Sequence, residues 1–199
     1  MQNESTDIKI ALRLAIEQTN NVADWLDGLT VDIGLLEKVV GAYVLITKEH
    51  QHSIINLIED NRRISAAALV RPQYDAMVRG TWLAFKGNEV IANKIYKDEY
   101  KFKGLEKMCK QIDVLLTDDF FSRVHKNNIN ALHSYTHGGW HMLSRCLDEN
   151  YIASSFTDSE MIEILNATTM NMLMIVLAYA VRIDDEILMK KAKREIIQK

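Results

Sequence analysis

The chain has a single proline, Pro72, and only eight glycines in 199 residues. Few positions can break a helix, and a collagen-like repeat, a proline-rich linker and a low-complexity tract are all excluded. Cysteine is equally scarce: Cys109 and Cys146 form no CxxC or other ligand-spaced group. A lone pair in a chain of this size reads as two reduced thiols, which favours a cytoplasmic location. No run alternates apolar with polar residues over a useful length, so a sheet signal is missing. The opening MQNESTDIKIALRLAIEQ lacks the basic head and unbroken apolar core of an export signal. An excess of one charge is missing too. The 24 Lys and Arg against 27 Asp and Glu give a net charge of -3, which excludes a generally basic nucleic-acid binder while leaving a local basic face open.

What is present suits one globular domain over residues 1–199: 48% hydrophobic and 26% charged side chains, enough to bury a core without staples. The charge is segregated. Residues 1–60 hold 4 basic and 10 acidic side chains, and residues 61–110 hold 11 and 5, so the two segments attract each other within one chain or across a dimer. From Ile164 to Val181 there are 18 residues without a charge, the length at which a membrane span becomes a candidate. Asn166, Thr168, Thr169 and Asn171 would be costly in lipid. The segment is therefore expected at the centre of a helical bundle, with no membrane partner and with Met170, Met172 and Met174 as core filler.

The periodicity predicts an all-α bundle of about six or seven helices. A first helix runs from Thr6 to Leu26 on the stripe Ile8, Leu12, Ala15, Ile16 and Val22, and Asp27-Gly28 closes it. A second, capped by Thr30 or Asp32, carries Leu35 to Ile58. A third spans Arg63 to Phe85 and must kink or start at Pro72. Shorter helices follow at Glu89 to Tyr96 and Leu105 to Leu116. Thr117-Asp118-Asp119 caps another from Phe120, with a break near residues 126–130 where Asn127, Asn128 and Asn130 weaken helical propensity. Asp148-Glu149-Asn150 and Ser154-Ser155 form a loop, and Asp158 or Ser159 caps a last helix from Glu160 to beyond Met189.

Two stretches could carry chemistry. In the first, Arg71, Asp75 and Arg79 lie at i, i+4 and i+8, so one carboxylate can serve either guanidinium, and Trp82 adds a flat surface at the edge. Two arginines held by one acid make an anion clamp suited to phosphate; the same residues also make an intrahelical ladder that merely packs a helix. The second is His133-Ser134-Tyr135-Thr136-His137-Gly138-Gly139-Trp140-His141. At helical pitch its three histidines share a face, but His133 and His141 stand about 12 Å apart along the axis, too far to share one metal ion. The Gly-Gly pair would cost a helix about 2 kcal/mol. An acid/base reading needs only one or two histidines beside a cationic anion-binder and no metal or other cofactor. The bland alternative makes Tyr135, Thr136 and His137 hydrogen-bonded core polars.

Together the motifs R-P-x-x-[DE]-x-x-x-R-G-x-W-L and S-Y-T-H-x-G resemble a family of uncharacterised bacterial helical proteins. The matching positions are Arg71, Pro72, Asp75, Arg79, Gly80, Trp82 and Leu83, then Ser134, Tyr135, Thr136, His137 and Gly139. More distantly, the helical layout is similar to HEPN-type bundles, many of them metal-independent ribonucleases of toxin–antitoxin and anti-phage systems that act as dimers. Their hallmark is Arg, four to six residues, then His; here nine residues intervene between Arg123 and His133, and only Lys126 falls at the six-residue gap. The resemblance implies a homodimer acting on RNA, with an antitoxin or other protein partner. Arg71 and Arg79 would bind phosphate, Asp75 and Trp82 would orient them, and His137 would be the acid/base with His133 and Tyr135 assisting. The alternatives are an interaction or ligand-binding module whose Arg/Asp/His cluster is structural, and a metal-dependent hydrolase.

Overall fold

The structure, a computed structural model, describes residues 6–29, 34–147 and 152–197. Among the described residues it is all-α, with no strands and nine helices: α1 Thr6–Leu26, α2 Leu35–Glu59, α3 Arg63–Lys86, α4 Glu89–Tyr96, α5 Leu105–Leu116, α6 Phe120–His137, α7 Trp140–Leu143, α8 Asp158–Arg182 and α9 Glu186–Ile197. The long helices α2, α3 and α8 pack on one another. The hairpin of α5 and α6 lies on α3, and α1 and α9 flank α8.

One apolar cluster joins the C-terminal half of α3, the N-terminal half of α2 and the later turns of α8 to α5 and α6 through Leu36, Val40, Leu83, Ile112, Leu173 and Ile175. A second joins α1 to the far ends of the same helices through Ile8, Ile54, Ile58, Met161 and Leu165. The 18-residue uncharged run fills α8 from its seventh residue to its last but one. This helix is long and apolar enough to cross a bilayer, yet 56% of its apolar window is buried within the protein.

Gly80 sets the spacing of the central helices. A Cβ there would stand 2.4 Å from Ile175 Cδ1 and 2.7 Å from Tyr43 Cβ, so the missing side chain is what brings α2, α3 and α8 together.

Several helix ends differ from the sequence expectation. Thr30 and Asp32, expected to cap α2, lie outside the described residues, as does Asp148-Glu149-Asn150. Gly34 precedes α2 with no side-chain cap, and the acceptor comes from α4 instead: Leu36 N–H donates to Glu89 Oε1 at 3.2 Å. The cap of α8 is Thr157 rather than Asp158 or Ser159, because Thr157 and Glu160 complete a reciprocal capping box. For α6, Asp113 of α5 accepts from Phe121 and Ser122 N–H at 2.9 and 2.8 Å, while Asp118 accepts from Asp119 and Phe120. Pro72 neither starts nor ends α3, which runs unbroken past it. The expected last helix is two, separated where Asp184 turns left-handed (φ 56°) and Asp185 accepts from Ile187 and Leu188 N–H to start α9.

Candidate functional site

The histidine stretch is not one helix. α6 runs unbroken through residues 126–130, where a break was expected. Phe121, His125 and Leu132 hold one face in the core, and Asn128 satisfies its amide on Val124 O at 2.9 Å. The break comes later, at the glycines. Gly138 adopts the left-handed conformation (φ 63°) that ends a helix, and Gly139 N–H donates to Ser134 O at 2.9 Å. Ser134 Oγ then accepts from His141 N–H at 2.7 Å, and a Cβ on Gly139 would sit 2.7 Å from that Oγ. The pair is thus a C-cap and turn, which removes the helical cost charged to it. His141 is carried into α7, off the face shared by His133 and His137. Those two stack, with ring centroids 6.0 Å apart, and both are exposed.

The predicted clamp sits on the half-buried face of α3 toward α6. Asp75 Oδ1 lies 2.6 Å from Arg71 Nε, with the two side chains 26% and 13% exposed. Arg79 packs its guanidinium over the Phe102 ring at 5.1 Å and lies against the Tyr43 hydroxyl. Burial pushes the Asp75 carboxyl above its ordinary value, opposed by the charges of Arg71, Arg79 and His133. His133 is therefore within electrostatic reach of the clamp. Arg71 Nη1 and Arg79 Nε are buried with no acceptor, and Asp75 Oδ1, although paired with Arg71 Nε, is buried with no hydrogen bond, so a cluster with two cations and one anion keeps two unspent donors and one unspent acceptor.

The other two predicted residues point elsewhere. Trp82 is buried, donates from Nε1 to Gln111 Oε1 at 2.8 Å and stacks on Tyr100, which places it in the α3–α5 seam. Tyr135, two residues from His133 and so on the opposite side of α6, packs edge-on against Phe156 at 5.8 Å beside Arg145. There it lines a cavity of about 360 Å³ between α3, α6 and α8.

Beneath the clamp lies a group that the motifs do not reveal. Tyr74 OH is 3.3 Å from His125 Nδ1 and 3.6 Å from Cys109 Sγ. All three side chains are buried. Burial raises the Tyr74 phenol far above its ordinary value and pushes the Cys109 thiol up to about 11, so both stay protonated and the thiol is a poor nucleophile. Burial holds His125 below the ordinary imidazole value; Arg71 and His133 act in the same sense, with Glu106 and Asp75 opposing. The signal for His125 was its place in the α6 stripe with Phe121 and Leu132.

A pH dependence follows. The folded chain binds fewer protons at His125 than the unfolded chain does between the lowered folded value and the ordinary 6.5, so stability falls as pH drops through that window. His50, also lowered by burial, adds to the slope. Asp75, raised in the fold, works the other way at lower pH, between 3.8 and its folded value. Thermal unfolding followed from about pH 7.5 to 5.5 is expected to show a declining Tm, with a shallower decline in His125→Gln. A flat wild-type profile would refute the assignment.

Among the described residues, no group of three His, Cys, Asp or Glu side chains is placed to hold a metal ion, and both cysteines are free. No curated protein and no solved structure matches the chain. Residues 44–196, which contain both the clamp and the histidine stretch, match the model of a family of unknown function, DUF6988, and the chain belongs to that family.

Proposed function

We propose that this is a HEPN-like protein that binds RNA through the Arg71/Arg79 pair and cleaves it without a metal, in the cytoplasm and as a homodimer. The observation that carries the reading is the pair of buried guanidinium donors without acceptors, Arg71 Nη1 and Arg79 Nε, in a cluster with one carboxylate. Unmet buried donors are rare and costly, and a phosphate oxygen would meet them. His133 and His137 stand on the same side of α6, exposed and one turn apart. In the proposed reaction one of them takes the proton of the ribose 2'-hydroxyl, whose oxygen attacks phosphorus. The arginines stabilise the phosphorane charge, and the other histidine gives its proton to the departing 5'-oxygen. Asp75 keeps Arg71 in place, while Tyr135 lies too far round α6 to join them.

The test is RNA incubated with the pure protein in EDTA. Cleavage is expected, falling by about a hundredfold or more in Arg79→Ala and His137→Ala. No cleavage, or cleavage unchanged in both variants, would overturn the reading.

A second reading is favoured by the contacts of Arg79 with Phe102 and Tyr43: the cluster is a structural network in a non-catalytic interaction module. That reading predicts a marked fall in Tm for Arg79→Ala and no shift of the wild-type Tm by RNA.

A further inference from the structure

The cavity on the far side of α6 belongs to neither reading. Its walls are the apolar flanks of three helices, with Val70 of α3, Leu132 of α6 and Ile164 of α8 at their centres. At about 360 Å³ it lies in the lower range of small-ligand pockets. Arg63 holds one wall in place: it donates from Nη1 to Phe156 O at 2.8 Å and pairs through Nη2 with Asp158 at 2.6 Å. The segment carrying Phe156 is thereby fixed over the first turns of α3 and α8.

The charged lining residues are Glu160 and Glu163, in the first two turns of α8, and Arg145, while Asn128 and Asn171 line the cavity elsewhere. Arg145 is spent, paired with Glu160 and lying over the Phe156 ring at 5.9 Å. Glu163 also lines the cavity and takes part in none of the ion pairs among the described residues. The lining thus holds one cation and two carboxylates, a net charge of -1, beside the Tyr135 and Phe156 rings. The Phe156 ring is already covered by Arg145 and Tyr135. The excess negative charge, carried by Glu163 at the solvent-exposed rim, is therefore what favours a cation, and the walls favour an apolar body behind it.

We propose that this cavity binds a small amphipathic organic amine, its ammonium group at Glu163 on the exposed rim and its apolar part against Val70, Leu132 and Ile164.

Calorimetric titration of the full chain with three ligands sharing an indole ring tests this: tryptamine, the neutral indole-3-ethanol and the anionic indole-3-propionate. Tryptamine is expected to bind with a dissociation constant of about 1 mM or tighter and at least about tenfold more tightly than the propionate. Glu163→Gln should remove that preference. Ala131→Trp and Ala167→Trp, each projecting a ring into the cavity from a different helix, should abolish binding while the protein still unfolds cooperatively. Failure of tryptamine to saturate, equal affinity for the three ligands, a preference for the acid, or binding undiminished in whichever filled variant folds would each overturn the proposal. RNA cleavage plays no part in these readouts, so the outcome is independent of the function proposed above.

Discussion

Gly80→Val is expected to destabilise the protein by about 3 kcal/mol, read as a lower urea midpoint, and Gly80→Ala by less. Local propensity argues the opposite for alanine, since Gly to Ala in a helix interior gains about 1 kcal/mol. Contact decides the sign. A Cβ on Gly80 would meet Ile175 Cδ1 at 2.4 Å and Tyr43 Cβ at 2.7 Å. The first is the tip of a flexible side chain, although Ile175 is fully buried and has little room to turn. The second is fixed to the α2 backbone and can yield only if α2 and α3 separate. Separation loosens the seam that holds Val40, Val78 and Leu83, and close-packed interiors absorb such shifts poorly. The branched valine brings a further methyl into the same space. Gly80→Ala more stable than the wild type would show that the three helices do not meet at this point.

That contact illustrates what sequence periodicity conveys and what it does not. The helix bodies were legible because burial follows the 3.6-residue period: α1 runs where its apolar stripe placed it, α4 and α5 run over the expected residues, and all-α architecture follows from the lack of any alternation. Ends were less legible where the capping group comes from elsewhere in the chain, as Glu89 does for α2 and Asp113 does for α6. The histidine row failed for a local reason. Gly138-Gly139 is more favourable as a left-handed cap and turn than inside a helix, and only the first two histidines keep a common face. Arg71, Asp75 and Arg79 are neighbours on one helix, so spacing could place them together. What it could not show is that His133 comes near Asp75 while Tyr135 turns away, since that depends on how α6 rolls on α3. The buried polar residues were hidden differently. Gln51 occupies a stripe position between Val44 and Ile58 of α2, and Gln73 one between Val70 and Met77 of α3. A polar residue at a core position was the available signal, and it names no partner.

Those two glutamines carry the other large effect: Gln73→Ala is expected to cost about 4 kcal/mol, whereas the double variant Gln51→Leu/Gln73→Leu should recover most of it. Both side chains are fully buried. Gln73 Nε2 donates to Gln51 Oε1 at 3.0 Å and lies within 3.3 Å of Thr47 O and 3.2 Å of Thr168 O. Gln51 Nε2 passes the chain on to Thr169 Oγ1 at 2.9 Å, and Asn171 Nδ2 donates to Gln73 Oε1 at 3.3 Å. One side chain thus ties α2, α3 and α8 together through groups that water does not reach. Truncating it opens a cavity and strands Gln51 Oε1, so the cavity and desolvation terms add. With both glutamines replaced by leucine, the stranded acceptor is gone and the volume is nearly kept. Thr169 Oγ1 still donates to Leu165 O at 2.7 Å, and the Thr47 and Thr168 carbonyls keep their places within their helices. Asn171 lines the cavity beside α6 and can turn its amide there. The pair is therefore worth little net stability against an apolar substitute, yet removing half of it is costly, the asymmetry expected of buried polar contacts. Chemical unfolding of the single and double variants measures it. A double variant as unstable as Gln73→Ala would mean that the network contributes more than mutual satisfaction, and that packing leucine between α2, α3 and α8 fails.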